Sequence, residues 1–170
     1  RVEIARPVEG PPWIRGTGEI PAAPDRIAQV VTDFGRYREI FAPALKRARV
    51  LGGDRTRTRL HLVWPYPFPL RNRDAIVEYA REPLPGGGWR IAWRDAARPG
   101  DPREGVRIAR VLGEIRIELS EANRSRVTYA FLGDLGGNFP RSAEEKAWRA
   151  EPVEYFRALR RGLGLRDPDP

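Results

Sequence analysis

Hydrophobic positions change period twice along the chain. Residues 1–23 read as two short extended segments punctuated by Pro7, Gly10, Pro11 and Pro12, the second running Trp13–Ile20 and stopping at Pro21. Helical spacing follows. Pro24 and Asp25 suit a first turn, and Ile27, Val30, Val31 and Phe34 fall at i, i+3, i+4 and i+7. Gly35 is expected as a left-handed cap, and a shorter turn with Tyr37, Ile40 and Phe41 ends at Pro43.

From about residue 45 to 133 the period becomes two. Thr58, Leu60, Leu62 and Trp64 alternate with Arg57, Arg59 and His61, which predicts a strand with one wet face. Pro65, Pro67 and Pro69 break it, because proline cannot donate within a central strand. Ala75, Val77 and Tyr79 alternate next; a Gly86-Gly87-Gly88 turn leads to Trp89, Ile91 and Trp93. After a polar loop at 96–105, Val106 and Ile108 begin a strand whose phase has flipped by Ile115, Ile117 and Leu119. That flip predicts a bulge between Ala109 and Gly113. Val127, Tyr129 and Phe131 form the last strand.

The C-terminal part is helical again, starting near Pro140 and Ser142. Pro152 is expected to break or kink it, leaving one piece through Trp148 and a second with Val153, Phe156, Leu159 and Leu163 along one side. The expected fold is therefore α+β: a curved antiparallel sheet wrapped around a long C-terminal helix, with two short helices after the N-terminal strands. One terminal helix covers such a sheet only in part, which leaves a pocket lined by inward aromatic residues. The 170 residues are read as one domain, with a core at about 2–163 and a tail at 164–170.

Composition narrows the chemistry. No apolar run approaches the roughly 20 residues needed to cross a bilayer. There is no cysteine and a single histidine, which leaves no metal-ligand cluster, and no serine has a histidine–acid partner in sight. No catalytic residue, metal or cofactor is expected. His61 lies on the arginine face of its strand and is expected to be solvated. Gly86-Gly87-Gly88 lacks the Lys-Ser/Thr ending of a phosphate loop and reads as a hairpin turn. The net charge of +8 would suit an anionic partner, but the arginines are scattered along the chain and point to bulk composition instead. Cysteine and methionine are both absent, and the first residue is Arg1; on that basis a periplasmic or secreted location is favoured over the cytoplasm.

Three segments carry a family resemblance: Pro21-Ala22-Ala23-Pro24-Asp25-Arg26-Ile27 with Thr32-Asp33-Phe34; Pro67-Phe68-Pro69-Leu70 leading into Arg73-Asp74-Ala75-Ile76-Val77; and Asp134-Leu135-Gly136-Gly137-Asn138-Phe139-Pro140. Over roughly residues 2–163 the chain resembles the START domains, the steroidogenic-acute-regulatory-related lipid-transfer branch of the helix-grip superfamily. The resemblance implies a hydrophobic tunnel, a mostly non-catalytic role and lipid or sterol-like ligands.

The candidate ligand-binding residues are Leu62, Trp64, Phe68, Arg73, Trp93, Tyr129, Phe131, Val153, Phe156 and Leu159. Arg73 either meets a ligand oxyanion or pairs with an acid to pin the strand start. Family cavities can pair this arginine with an acid from the preceding strand, yet residues 57–62 supply none. The expected function is binding of a lipid or other hydrophobic small molecule, for transfer or sensing, by a monomer with transient membrane contact. The alternatives are a polyketide cyclase or aromatase on the same fold, using Arg73, Tyr129 and Tyr66, and a basic module for anionic membrane or nucleic acid.

Overall fold

A computed structural model describes residues 1–5, 13–136 and 141–166, with the backbone alone at 141–145. The proline and glycine punctuation at 7–12, the residues Gly137 to Pro140 of the third family-like segment, the Ser142 side chain and the end of the tail lie outside the described residues. The elements run β1 (Val2–Ala5), β2 (Trp13–Ile20), α1 (Pro24–Val31), α2 (Tyr37–Ile40), β3 (Arg47–Gly53), β4 (Arg57–Trp64), β5 (Arg73–Pro83), β6 (Trp89–Asp95), β7 (Val106–Arg107), β8 (Ala109–Glu121), β9 (Arg124–Asp134) and α3 (Arg141–Gly162). The strands form one curved, open sheet in the order β1-β2-β9-β8-β6-β5-β4-β3. All neighbours are antiparallel except β7, which lies parallel to the start of β5.

The period-two pattern fixes which face of the sheet is covered. Leu60 and Leu62 on β4, Val77 and Tyr79 on β5, Ile91 and Trp93 on β6, Ile115 and Ile117 on β8, and Val127, Tyr129 and Phe131 on β9 are all buried in one core. The helices close this face, α1 over β6 and β8 and α3 over β1 and β2. The phase flip in β8 is a real irregularity: register shifts between Ala109 and Leu112, and Arg110 takes a left-handed φ of 55°. The inward phase ends after Ile117, since Leu119 is exposed.

Helix α1 ends with the Thr32 hydroxyl donating to the Ala28 carbonyl, and Gly35 is not left-handed. A threonine cap does here what a glycine was expected to do.

Two expectations for α3 are corrected. The expected break is absent, for one helix continues through Pro152. That proline is buried against β2, where a Cβ added to Gly16 would lie 2.8 Å from the Pro152 Cβ. Bare backbone on β2 lets the ring pack closely, and this contact outweighs the local penalty of an internal proline. The expected stripe also fails at Val153, although Leu159 is fully buried and Phe156 and Leu163 pack partly against the core. Trp148, Pro152, Tyr155, Ala158 and Leu159 face inward, while Val153 is 40% exposed.

The outer face of the sheet is covered beside β4 and β5. The chain from 96 to 108 folds back over β4 and β5, so His61 and Asp74 are buried rather than solvated. His61 Nε2 lies 2.9 Å from Asp74 Oδ2, which also accepts the Glu104 amide at 3.0 Å and lies 3.2 Å from the Arg107 guanidinium. Asp74 is thus paired across the outer face and not with Arg73.

Candidate ligand-binding cavity

Between α3, α2 and the concave face of the sheet lies a cavity of about 290 Å³. Its sheet wall carries Leu62, Trp64, Val77, Tyr79, Trp93, Tyr129 and Phe131; α2 and its loop add Tyr37, Phe41 and Leu45, and α3 adds Trp148, Glu151, Tyr155 and Ala158. Strand alternation places the sheet residues on one face. The depth under Trp93 exists because Gly113 faces it across β6 and β8, where a Cβ would lie 2.2 Å from the indole ring.

Aromatic rings tile this wall. Tyr79 stacks on Trp93 at 5.4 Å between centroids, Tyr129 on Tyr155 at 4.3 Å and Phe41 on Tyr155 at 4.9 Å. The polar atoms are few. Tyr37 and Tyr79 share a hydroxyl–hydroxyl hydrogen bond of 3.0 Å, and Tyr129 donates to Glu151 Oε1 at 2.5 Å. Burial pushes all four of these tyrosines, Tyr37, Tyr79, Tyr129 and Tyr155, above the usual phenol range. Burial also raises the Glu151 carboxyl to about 7, against the opposing hydrogen bond from Tyr129. Its stem is half-buried, but Oε2 is out of solvent and has no hydrogen-bond partner among the described residues.

Of the ten residues singled out from the sequence, Leu62, Trp64, Trp93, Tyr129 and Phe131 line this cavity. The other five lie elsewhere. Phe68 is 97% exposed at the tip of the proline-rich turn, whose backbone carries it away from the sheet. Val153 faces outward. Phe156 lies over Gly18 of β2, where a Cβ would stand 3.2 Å from its ring. Leu159 is fully buried in the core, outside the cavity wall.

Arg73 is buried and also outside the wall. Its guanidinium donates to the carbonyls of Arg71 at 2.6 Å, Leu135 at 2.7 Å and Gly136 at 3.1 Å, and lies 5.6 Å from the centre of the Tyr66 ring. It ties the start of β5 to the chain that follows β9. The guanidinium donors expected to meet a ligand oxyanion are instead taken up by backbone carbonyls.

Sequence reasoning passed over Glu151. A glutamate beside a proline in a helix reads as a solvated position. The one available signal was its spacing, three residues after Trp148 and four before Tyr155, which places all three on one helical face.

No family model and no curated protein matches the sequence. Solved structures do match the fold. A STAR-related lipid transfer protein from Xanthomonas axonopodis superposes with a TM-score of 0.84 at 24% identity, over 96% of this chain and 92% of that one. The chain has the START-like helix-grip fold. Human STARD10 gives a TM-score of 0.79 at 16% identity, over 95% of this START-like chain and 72% of the human one. The Zhui aromatase/cyclase from Streptomyces sp. R1128 gives 0.62 at 18% identity, over 89% and 91%. Among the described residues of this START-like chain, no helix is long and apolar enough to cross a membrane, and no group of histidine and acidic side chains is arranged to hold a metal.

Proposed function

We propose that the chain binds a lipid or other hydrophobic small molecule in the cavity under α3, for transfer or sensing. The observation that carries this reading is a wall of stacked aromatic and aliphatic side chains with very few polar atoms, the usual make-up of a small-molecule site. Leu62, Trp64, Trp93, Tyr129 and Phe131 are the ligand contacts on the sheet side. In this role residues 1–170 act as a single monomeric domain that contacts a membrane only transiently. The neighbours whose names include lipid transfer support it by analogy of fold.

Denaturing extraction of the purified protein followed by mass spectrometry tests it. An apolar molecule recovered in near-stoichiometric amount is the expected result. A protein that yields none and binds no apolar dye contradicts it. Binding should also hold as salt rises, whereas a basic module for anionic membrane or nucleic acid weakens steeply.

A second reading is a cyclase or aromatase. It is favoured by the Tyr129–Glu151 pair, since ionisable groups displaced by burial inside a cleft are candidates for proton transfer. Incubation with a linear poly-β-ketone surrogate decides it: a cyclised product lighter by the mass of water supports an enzyme, and unchanged surrogate argues for a binder.

A further inference from the structure

Three polar atoms in the cavity wall lack a hydrogen-bond partner among the described residues. They are Glu151 Oε2, an acceptor when ionised, Trp148 Nε1, a donor only, and the Tyr155 hydroxyl, which can do either. All three side chains line the cavity from α3, about one helical turn apart in succession. Neighbouring polar atoms are engaged with one another: Glu151 Oε1 accepts from Tyr129 of β9, and Tyr37 of α2 and Tyr79 of β5 bond to each other. Further along the wall stand Tyr66 from the turn after β4 and Glu154 and Arg161 from α3. Glu154 is paired with Arg157 at 2.8 Å, and Arg161 donates to the Ala42 carbonyl at 2.9 Å.

Buried polar atoms left unpaired are costly, so a ligand gains most by supplying what each lacks. An alcohol can serve all three, because its hydroxyl donates one hydrogen bond and accepts others. A carboxylate can accept from Trp148 and Tyr155 but cannot donate to Glu151, and it brings a second negative charge into an apolar enclosure. A hydrocarbon leaves all three atoms unsatisfied.

Resting on the cavity reading above, we propose that Glu151 and Trp148 are the polar anchor of the cavity. They select an apolar ligand that bears an uncharged hydroxyl group and disfavour one that bears a carboxylate. The hydroxyl donates to Glu151 Oε2 and accepts from Trp148 Nε1. This places the selective group on the C-terminal helix, and not at Arg73, whose guanidinium is occupied by backbone carbonyls.

The test is displacement of N-phenyl-1-naphthylamine by 1-decanol and by decanoate, on the wild-type chain, Glu151→Gln and Trp148→Phe. At about pH 8 the wild type should prefer decanol by roughly tenfold, a difference of about 1.4 kcal/mol. Glu151→Gln removes the charge and should shrink the preference to about threefold or less, mostly by improving decanoate. Trp148→Phe should weaken decanol by about fivefold with little change for the dye. Lowering the pH to about 6, where decanoate stays ionised and Glu151 takes up its proton, should tighten decanoate on the wild type and leave Glu151→Gln unchanged.

Equal wild-type affinity for decanol and decanoate overturns the anchor, as does a Glu151→Gln variant with the same preference and pH response as the wild type. In both cases dye binding remains and the cavity reading survives. Absence of saturable dye binding to the folded wild type overturns the cavity reading and the anchor with it.

Discussion

Glu151 brings an ionisable group into an aromatic wall, and the cost of its charge ties folding to pH. Its carboxyl sits near 7 in the folded chain against 4.5 for the free group. The folded state therefore favours the protonated form. Stability from this group is complete below about pH 4.5, falls as pH rises, and is lost once pH passes about 7. A shift of this size corresponds to about 3 kcal/mol, and the half-buried stem argues for less. Urea unfolding should show the wild type losing about 1–3 kcal/mol relative to Glu151→Gln between pH 5 and pH 8. A constant difference between the two proteins would mean that Glu151 is solvated and ionised throughout. Arg73 makes a second case at this scale. Its three carbonyl contacts predict that Arg73→Leu costs about 2–4 kcal/mol in urea unfolding and leaves the alcohol-over-carboxylate preference untouched. Both roles were hidden in the sequence for the same reason: a charged side chain announces its chemistry but not its partners. Arg73 finds Leu135 and Gly136, more than sixty positions away, and His61 finds its cover in the loop that carries Glu104.

The strands were legible because burial on one face writes itself directly as alternation. Leu60 and Leu62, Val77 and Tyr79, Trp93, Tyr129 and Phe131 were all assigned inward from period alone, and the cavity wall on the sheet side follows from them. Helix α3 was harder to read. The face it turns to the cavity combines Trp148, Glu151, Tyr155 and Ala158, a mixed set with no clean apolar stripe, while the stripe legible in the sequence holds at Phe156, Leu159 and Leu163 and fails at Val153. The continuity of α3 through Pro152 depends on bare backbone in β2, a contact between distant parts of the chain that local propensity cannot report. The pairing of β8 with β6 offers a test at this scale. Gly113→Ala places a methyl group against the Trp93 indole, so it should destabilise the fold by about 1–3 kcal/mol. It should also change the fluorescence of the displaced tryptophan. A neutral substitution with unchanged emission would show that β6 and β8 do not meet as described.

For the molecule as a whole, the fold is a sheet that a single long helix cannot fully cover, and the uncovered remainder is the cavity. The outer surface carries arginines paired with acids, such as Arg57 and Arg94 on either side of Glu78. On the proposed function, the interior and not the basic surface takes the ligand. Ala158 is buried on α3 and lines the cavity, so Ala158→Trp fills the space while leaving the surface unchanged. The most direct measurement is a titration of wild type and Ala158→Trp with N-phenyl-1-naphthylamine, with circular dichroism confirming that both are folded. Saturable one-site binding to the wild type that falls by about tenfold or more in Ala158→Trp is the predicted result. Equal binding to the two folded proteins would place the dye outside the cavity and contradict the account.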